Sequence, residues 1–260
     1  MTKIIGIISG KGGVGKTTTA INLGAAMNYF GRTVTVVDTN LTTPNVGLYL
    51  GVPVVPITLH DVLRGKKEIK EAVYIHKSGT RIVPASIALQ DLKKIDPKRL
   101  SKAVEGLRGH TEYVILDIAA GLGREALSSL KACDEVLIVT NPELPAVTDA
   151  LKTIKLCKEM QKPIIGAIVA KTNIKNRDLP IKEIEEMLEV SIIKIIPEDR
   201  AVKESHILKD AVVHTHPRSA AAIQYKKLAA DLLNVEDYVE NIEREPLSVW
   251  DWLAKFMGLR

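Results

Sequence analysis

Nine consecutive residues, Gly10-Lys11-Gly12-Gly13-Val14-Gly15-Lys16-Thr17-Thr18, combine four glycines with two lysines and two threonines. Glycines let a backbone curl until successive N–H groups converge on one point, which suits the oxygens of a bound phosphate. The segment follows an apolar run from Ile4 to Ile8 and precedes a helical pattern that opens near Thr17, so strand, loop and helix come in the order such a cradle needs. The start of that helix adds its partial positive charge at the same place. Lys16 is expected to reach the β- and γ-phosphates of a nucleotide, and the Thr17 hydroxyl to bind magnesium. Lys11 is not needed for this chemistry. With its backbone committed to the phosphate, its side chain is expected to leave its own site, either for solvent, as loop lysines commonly do, or toward phosphates held by a second copy of the chain.

Two carboxylates are candidates for the metal. Asp38 ends the run Thr33-Val34-Thr35-Val36-Val37, and Asp117 ends Tyr113-Val114-Ile115-Leu116. Each suits magnesium held through water, and each is equally a good turn or helix cap. The elements that must position these groups read as an alternation. β-branched runs at 3–9, 33–38, 81–84, 113–118, 135–140, 164–171 and 192–197, with a weaker one at 211–214, lie between helical patterns at 17–29, 97–107, 146–160, 180–188, 200–209 and 218–233. Such alternation predicts an α/β fold, a doubly wound and mostly parallel sheet with helices on both faces. Ligands of these sheets bind beyond the carboxyl ends of the strands, where the glycine-rich loop and both aspartates fall.

The unbroken stretch from Lys11 to Thr18 resembles the KGGVGKTT signature of the deviant Walker A ATPases, the MinD/ParA family. The resemblance implies a homodimer formed around two ATP molecules with Mg2+, Lys11 acting across the dimer. It also implies catalytic roles for Lys11, Lys16, the residue at position 40, and Asp117. Asp117-Ile118-Ala119-Ala120-Gly121 resembles the family's switch II segment, in which proline commonly stands at the position of Ala119 and the glycine, here Gly121, approaches the γ-phosphate. Asp38-Thr39-Asn40-Leu41-Thr42-Thr43-Pro44-Asn45 resembles switch I, with Asp38 and Asn45 matching. Asn40 departs: the family has there an aspartate that orients or activates the attacking water. Asparagine can hydrogen-bond water but takes no proton from it. Slow hydrolysis and a long-lived ATP state are therefore expected, unless another group positions the water. No Asn-Lys-x-Asp guanine-reading sequence occurs, and the family contacts adenine after the late strand, here Pro197, Glu198 and Asp199, and near Ala170-Lys171-Thr172-Asn173.

With 260 residues, 46% of them hydrophobic, the chain can bury one sizeable core without disulfides. Cys133 and Cys157 form no Cys-x-x-Cys pair and read as small core residues, which weakens an iron–sulfur carrier resembling the Mrp branch. His214-x-His216 reads as a pair of exposed edge residues rather than a metal site. The formal charge of +5 is spread through helices, and no nucleic-acid motif accompanies it. DNA binding of a ParA-like partitioning protein is the rival reading. No signal peptide opens the chain and no apolar stretch reaches the ~20 residues of a spanning helix. A cytoplasmic location is expected.

Both tryptophans and one of the two phenylalanines fall within the last eleven residues. On a helix over 247–260, Leu247, Trp250, Leu253 and Met257 share one face, which Phe256 widens. That face suits a membrane interface, a partner's groove or the protein's own body. Resemblance to the MinD branch, whose members end in a membrane-targeting helix, favours the cytoplasmic face of the membrane. The expected organisation is an ATPase domain at 1–233, a linker at 234–246 and the amphipathic helix at 247–260, with an activating or cargo protein as a further partner.

Overall fold

β-branched, apolar runs become strands because branched side chains pack well on a pleated surface buried on both sides. The computed structural model describes residues 2–92, 95–173 and 179–235. Its strands are β1 (Lys3–Ile8), β2 (Val34–Asp38), β3 (Tyr74–Ile75), β4 (Arg81–Val83), β5 (Tyr113–Asp117), β6 (Glu135–Thr140), β7 (Ile164–Thr172) and β8 (Ile192–Pro197). They form a sheet in the order β3-β4-β2-β5-β1-β6-β7-β8. All pairs are parallel except the edge hairpin β3–β4.

Successive side chains along each strand face opposite sides of the sheet. On β1, Ile4 and Ile8 join one buried core while Ile5 and Ile7 join the other. The first core is closed by α3 (Leu59–Leu63), α4 (Leu100–Glu105), α5 (Arg124–Ala132), α6 (Leu144–Glu159) and α7 (Ile181–Leu188). The second is closed by α1 (Lys16–Tyr29), α2 (Val46–Tyr49), α8 (Arg200–Ile207), α9 (Val212–Thr215) and α10 (Ala220–Leu233). The doubly wound, mostly parallel fold expected from the sequence is the fold found.

Three local readings need correction. Residues 211–214 are not a strand. Ala211, Val212 and Val213 are buried, but Asp210 accepts the Ala211 N–H at 2.7 Å and holds the His214 ring at 3.0 Å, and Asn22 accepts the Val213 N–H at 3.3 Å. Those bonds hold the start of a helical turn that Thr215 and His216 close by donating to the Ala211 and Val212 carbonyls, and α9 packs on α1 and α10. His214 and His216 are consequently not edge residues: His214 pairs with Asp210, and His216 lies 3.2 Å from Glu204. The helix α5 was not expected at all, and the expected helix at 97–107 opens as a 3-10 turn over Pro97–Arg99 before α4. No helix among the described residues is long and apolar enough to cross a membrane. The linker and the tail residues Leu247, Trp250, Leu253, Phe256 and Met257 lie outside the described residues, apart from Asn234 and Val235.

Candidate functional site

Beyond Ile8, the chain turns sharply under α6. A Cβ on Gly10 would stand 2.2 Å from the Asp149 carbonyl oxygen, so only glycine lets the loop pass this close to that backbone. Gly15 caps α1 in the left-handed region at φ 104°, again a glycine conformation, and the helix begins at Lys16. The N-terminus of α1 therefore faces a cavity of about 1150 Å³ at the carboxyl edge of the sheet. Gly12, Gly13, Gly15, Lys16, Thr17 and Thr18 line it. Gly10, Lys11 and Val14 do not: Gly10 packs on α6, Val14 is 2% exposed in the core, and the Lys11 ammonium lies 3.4 Å from Glu143 outside the cavity.

The two strand-end aspartates sit side by side, in register on β2 and β5, yet do different things. Asp117 receives the Lys16 ammonium at 2.9 Å on Oδ1 and the Thr17 hydroxyl at 2.6 Å on Oδ2. Asp38 serves backbone instead. Its Oδ2 accepts the N–H groups of Asn45 at 2.8 Å and Val46 at 2.9 Å, and its Oδ1 accepts that of Asn40 at 3.2 Å. It thus clamps the β2–α2 loop, the cap that the sequence left open beside a metal role; neither aspartate lines the cavity, and Asp117 reaches it only through Lys16 and Thr17. Complete burial, with the Asp117 charge next to it, pushes the Asp38 carboxyl up to about 7.

Asn40 lines the cavity, but its side-chain oxygen is taken by the Thr43 N–H at 3.2 Å and the Thr43 hydroxyl at 3.1 Å. What it has left is an NH2, a donor only. Gly121 differs from expectation as well: its N–H donates to the Ser9 carbonyl at 3.1 Å and it is not among the cavity-lining residues, so the loop after β5 is tied to the end of β1.

At the far end, Pro197, Glu198 and Asp199 line the cavity, as do Ala170 and Lys171. Asp199 also caps two helices, accepting from Ala201 and Ala221 at 2.9 Å each. Lys171 adopts a left-handed backbone at φ 59° and donates to the Gly13 carbonyl at 2.6 Å, bracing the phosphate loop from β7. Tyr49 and His206 close the same end with ring centroids 4.1 Å apart. Burial, and the nearby Lys209 and Lys171 charges after it, hold His206 below the usual imidazole range. Sequence reading placed a contact near Lys171 without its tie to Gly13, and it missed His206 and Glu125. The latter two carry no motif, and only tertiary packing brings them to this cavity.

Thr17 and Asp117 offer adjacent hard oxygen donors of the kind magnesium takes. The described residues contain no group of three or more His, Cys, Asp or Glu able to hold a metal on their own. Both cysteines are buried, and burial raises their thiols, Cys157 to about 11 and Cys133 further. Thiols so held are poor cluster ligands.

The protein-family profile described as AAA domain matches residues 2–168. A second, for 4Fe-4S iron sulfur cluster binding proteins of the NifH/frxC family, matches residues 111–254. An uncharacterized ATP-binding protein of Methanocaldococcus jannaschii is 36% identical over 257 residues, which cover 99% of this chain and 96% of that protein. The septum site-determining protein MinD of Thermotoga maritima is 34% identical over 212 residues, 78% of each chain. Among solved structures, MinD of Pyrococcus horikoshii complexed with Mg-ADP superimposes with a TM-score of 0.85 at 36% identity, covering 89% of this chain and 96% of that one. The cell division ATPase MinD of Pyrococcus furiosus does so with a TM-score of 0.86 at 34% identity, covering 90% and 100%.

Proposed function

The chain belongs to the MinD/ParA family of P-loop ATPases, and on that premise we propose that it is an ATP-operated positioning switch that dimerises on ATP and binds a membrane reversibly. The observation that carries this reading is the division of labour between two lysines of one loop. Lys16 faces the cavity and is held by Asp117 beside Thr17, while Lys11 extends out of the same cavity. In a face-to-face dimer Lys11 is available to the partner's triphosphate. ATP is bound by the loop of residues 10–18, and Mg2+ by Thr17 and Asp117, with Asp38 shaping the loop beside them. The ion supplies charge neutralisation on the β- and γ-phosphates.

Hydrolysis is slow in this reading because position 40 carries an amide. A slow step keeps the dimer together long enough for the tail to matter. Each large apolar side chain buried in lipid yields ~1.5–3 kcal/mol, against ~1–2 kcal/mol for ordering each residue, so one tail over 247–260 is marginal. Two tails on one dimer act together, and the second insertion is effectively intramolecular, raising avidity by about 10²-fold or more. Membrane residence at the cytoplasmic face then reports nucleotide state, and release follows hydrolysis. An activating or cargo protein would set where that happens.

The test is sedimentation with vesicles of mixed zwitterionic and anionic phospholipid, with ADP and with ATP, using the full chain and one ending at Glu245. The full chain is expected to pellet with vesicles in ATP and stay in solution in ADP, and the shortened chain to stay in solution in both. Equal pelleting of the two chains, or pelleting indifferent to nucleotide, rules the reading out.

A further inference from the structure

Position 40 lacks a carboxylate, but one stands beside it. Glu125, in the first turn of α5, reaches across to the β2–α2 loop. Its Oε2 accepts the Leu41 N–H at 3.0 Å and the Thr42 N–H at 3.3 Å, and its Oε1 accepts the Thr42 hydroxyl. Glu125 lines the same cavity as Lys16, Thr17, Asn40 and Thr42. A carboxylate can accept about four hydrogen bonds, and these three leave it room for one more.

No neighbouring group is as well placed to take a proton. Asp117 is engaged by Lys16 and Thr17, and Asp38 is spent on backbone N–H groups away from the cavity wall. Glu198 lines the opposite end, where Asn173 donates to it at 3.2 Å. The amide NH2 of Asn40 can donate to a phosphate oxygen as charge builds there, but it has no acceptor left for a water proton.

We propose that Glu125 is the catalytic base of ATP hydrolysis in this protein, supplying from α5 the carboxylate absent at position 40. The proposal rests on the ATPase reading above. In the step it serves, the water oxygen bonds to the γ-phosphorus while the bond from that phosphorus to the β,γ-bridging oxygen breaks, its electron pair leaving on ADP. The water proton passes to Glu125 and then to the released phosphate. Because the same carboxylate ties down Leu41 and Thr42, the base is in place only when the β2–α2 loop and the start of α5 are docked on each other. Turnover is thereby coupled to closure of both segments around the nucleotide.

Four proteins test this: wild type, Asn40→Asp, Glu125→Gln and the double variant, each measured for turnover and for binding of a non-hydrolysable ATP analogue. Glu125→Gln is expected to lower kcat by about 100-fold, the low end for general-base loss, with analogue affinity held within about threefold. Asn40→Asp is expected to raise kcat alone and to restore most of what Glu125→Gln removes, because it returns a carboxylate on the loop side of the same water. Equal kcat for wild type and Glu125→Gln overturns the assignment. So does a loss matched by lost analogue affinity and unrelieved by Asn40→Asp, which would make Glu125 a structural tie. Either result leaves the ATPase reading intact, since that reading fails when the wild-type chain does not bind ATP or does not turn it over.

Discussion

Asp38 and Asp117 show how environment divides labour between identical residues one strand apart. Asp117 meets a cation and a hydroxyl, whereas Asp38 meets only amides and a like charge in a fully buried place. Burial and that neighbouring charge put its folded pKa at about 7, above the ordinary ~3.9 of an unfolded aspartate. Between these values the folded chain keeps a proton that the unfolded chain has lost. The associated stability is present below the unfolded pKa and disappears as pH rises through the folded one. Asp38→Asn carries no such proton, so the gap in unfolding free energy between the two proteins is expected to move in favour of the variant from pH 5 to pH 8. Each tenfold difference in proton affinity corresponds to about 1.4 kcal/mol. Urea melts of nucleotide-free protein measure the gap, and its constancy across that range contradicts a buried, proton-holding Asp38. The fixed cost of replacing a bonded oxygen by NH2 drops out of the comparison.

At the scale of elements, the strand–loop–helix unit was legible because local sequence determines it: β-branched residues, then glycines, then a helix whose start needs no side-chain cap. Gly10 is the extreme case, since its backbone φ is not left-handed and its necessity is purely the approach of α6. Gly10→Ala is therefore expected to lower unfolding free energy by about 1–3 kcal/mol, as overpacking against an unyielding backbone does, and to weaken nucleotide binding with it. Unchanged stability would mean that α6 can retreat freely. What was not legible depends on distant partners. In Arg124–Ala132, a nine-residue helix with a serine pair at its centre follows three loop residues of which two are glycine, so its local pattern is weak and its place comes from packing on β1 and α4. The valines at 212–213 read as strand, but Asp210 and Asn22 capture the backbone into a turn. Glu125 was invisible for the same reason as its helix. The phosphate loop, Asp38 and Asp117 could be listed from spacing and strand ends, and Asn40 from the family resemblance, whereas which carboxylate serves backbone and which holds Lys16 and Thr17 emerged only from three-dimensional contacts.

For the molecule as a whole, the edge that carries the cavity also carries the features a second copy would meet. Leu122 and Leu144, in and just after the loops leaving β5 and β6, are 44% and 55% exposed, and Lys11 rests on Glu143 beside Leu144. A lysine pair this exposed is worth ~0–1 kcal/mol. Such a weak tether gives way readily to a triphosphate, whose several oxygens accept charge-assisted bonds from an ammonium. Lys11→Ala is therefore expected to leave ATP binding to the monomer nearly unchanged while abolishing dimers in magnesium and a non-cleavable ATP analogue, as read by sedimentation velocity. Glu143→Gln releases the lysine in both copies and is expected to strengthen the dimer by no more than about 30-fold, the weight of two surface pairs at about fivefold each. If Lys11→Ala dimerises as wild type does, apolar contacts at the rim hold the copies together without it, and the nucleotide sensitivity of the proposed switch must come from the β2–α2 and β5–α5 loops alone.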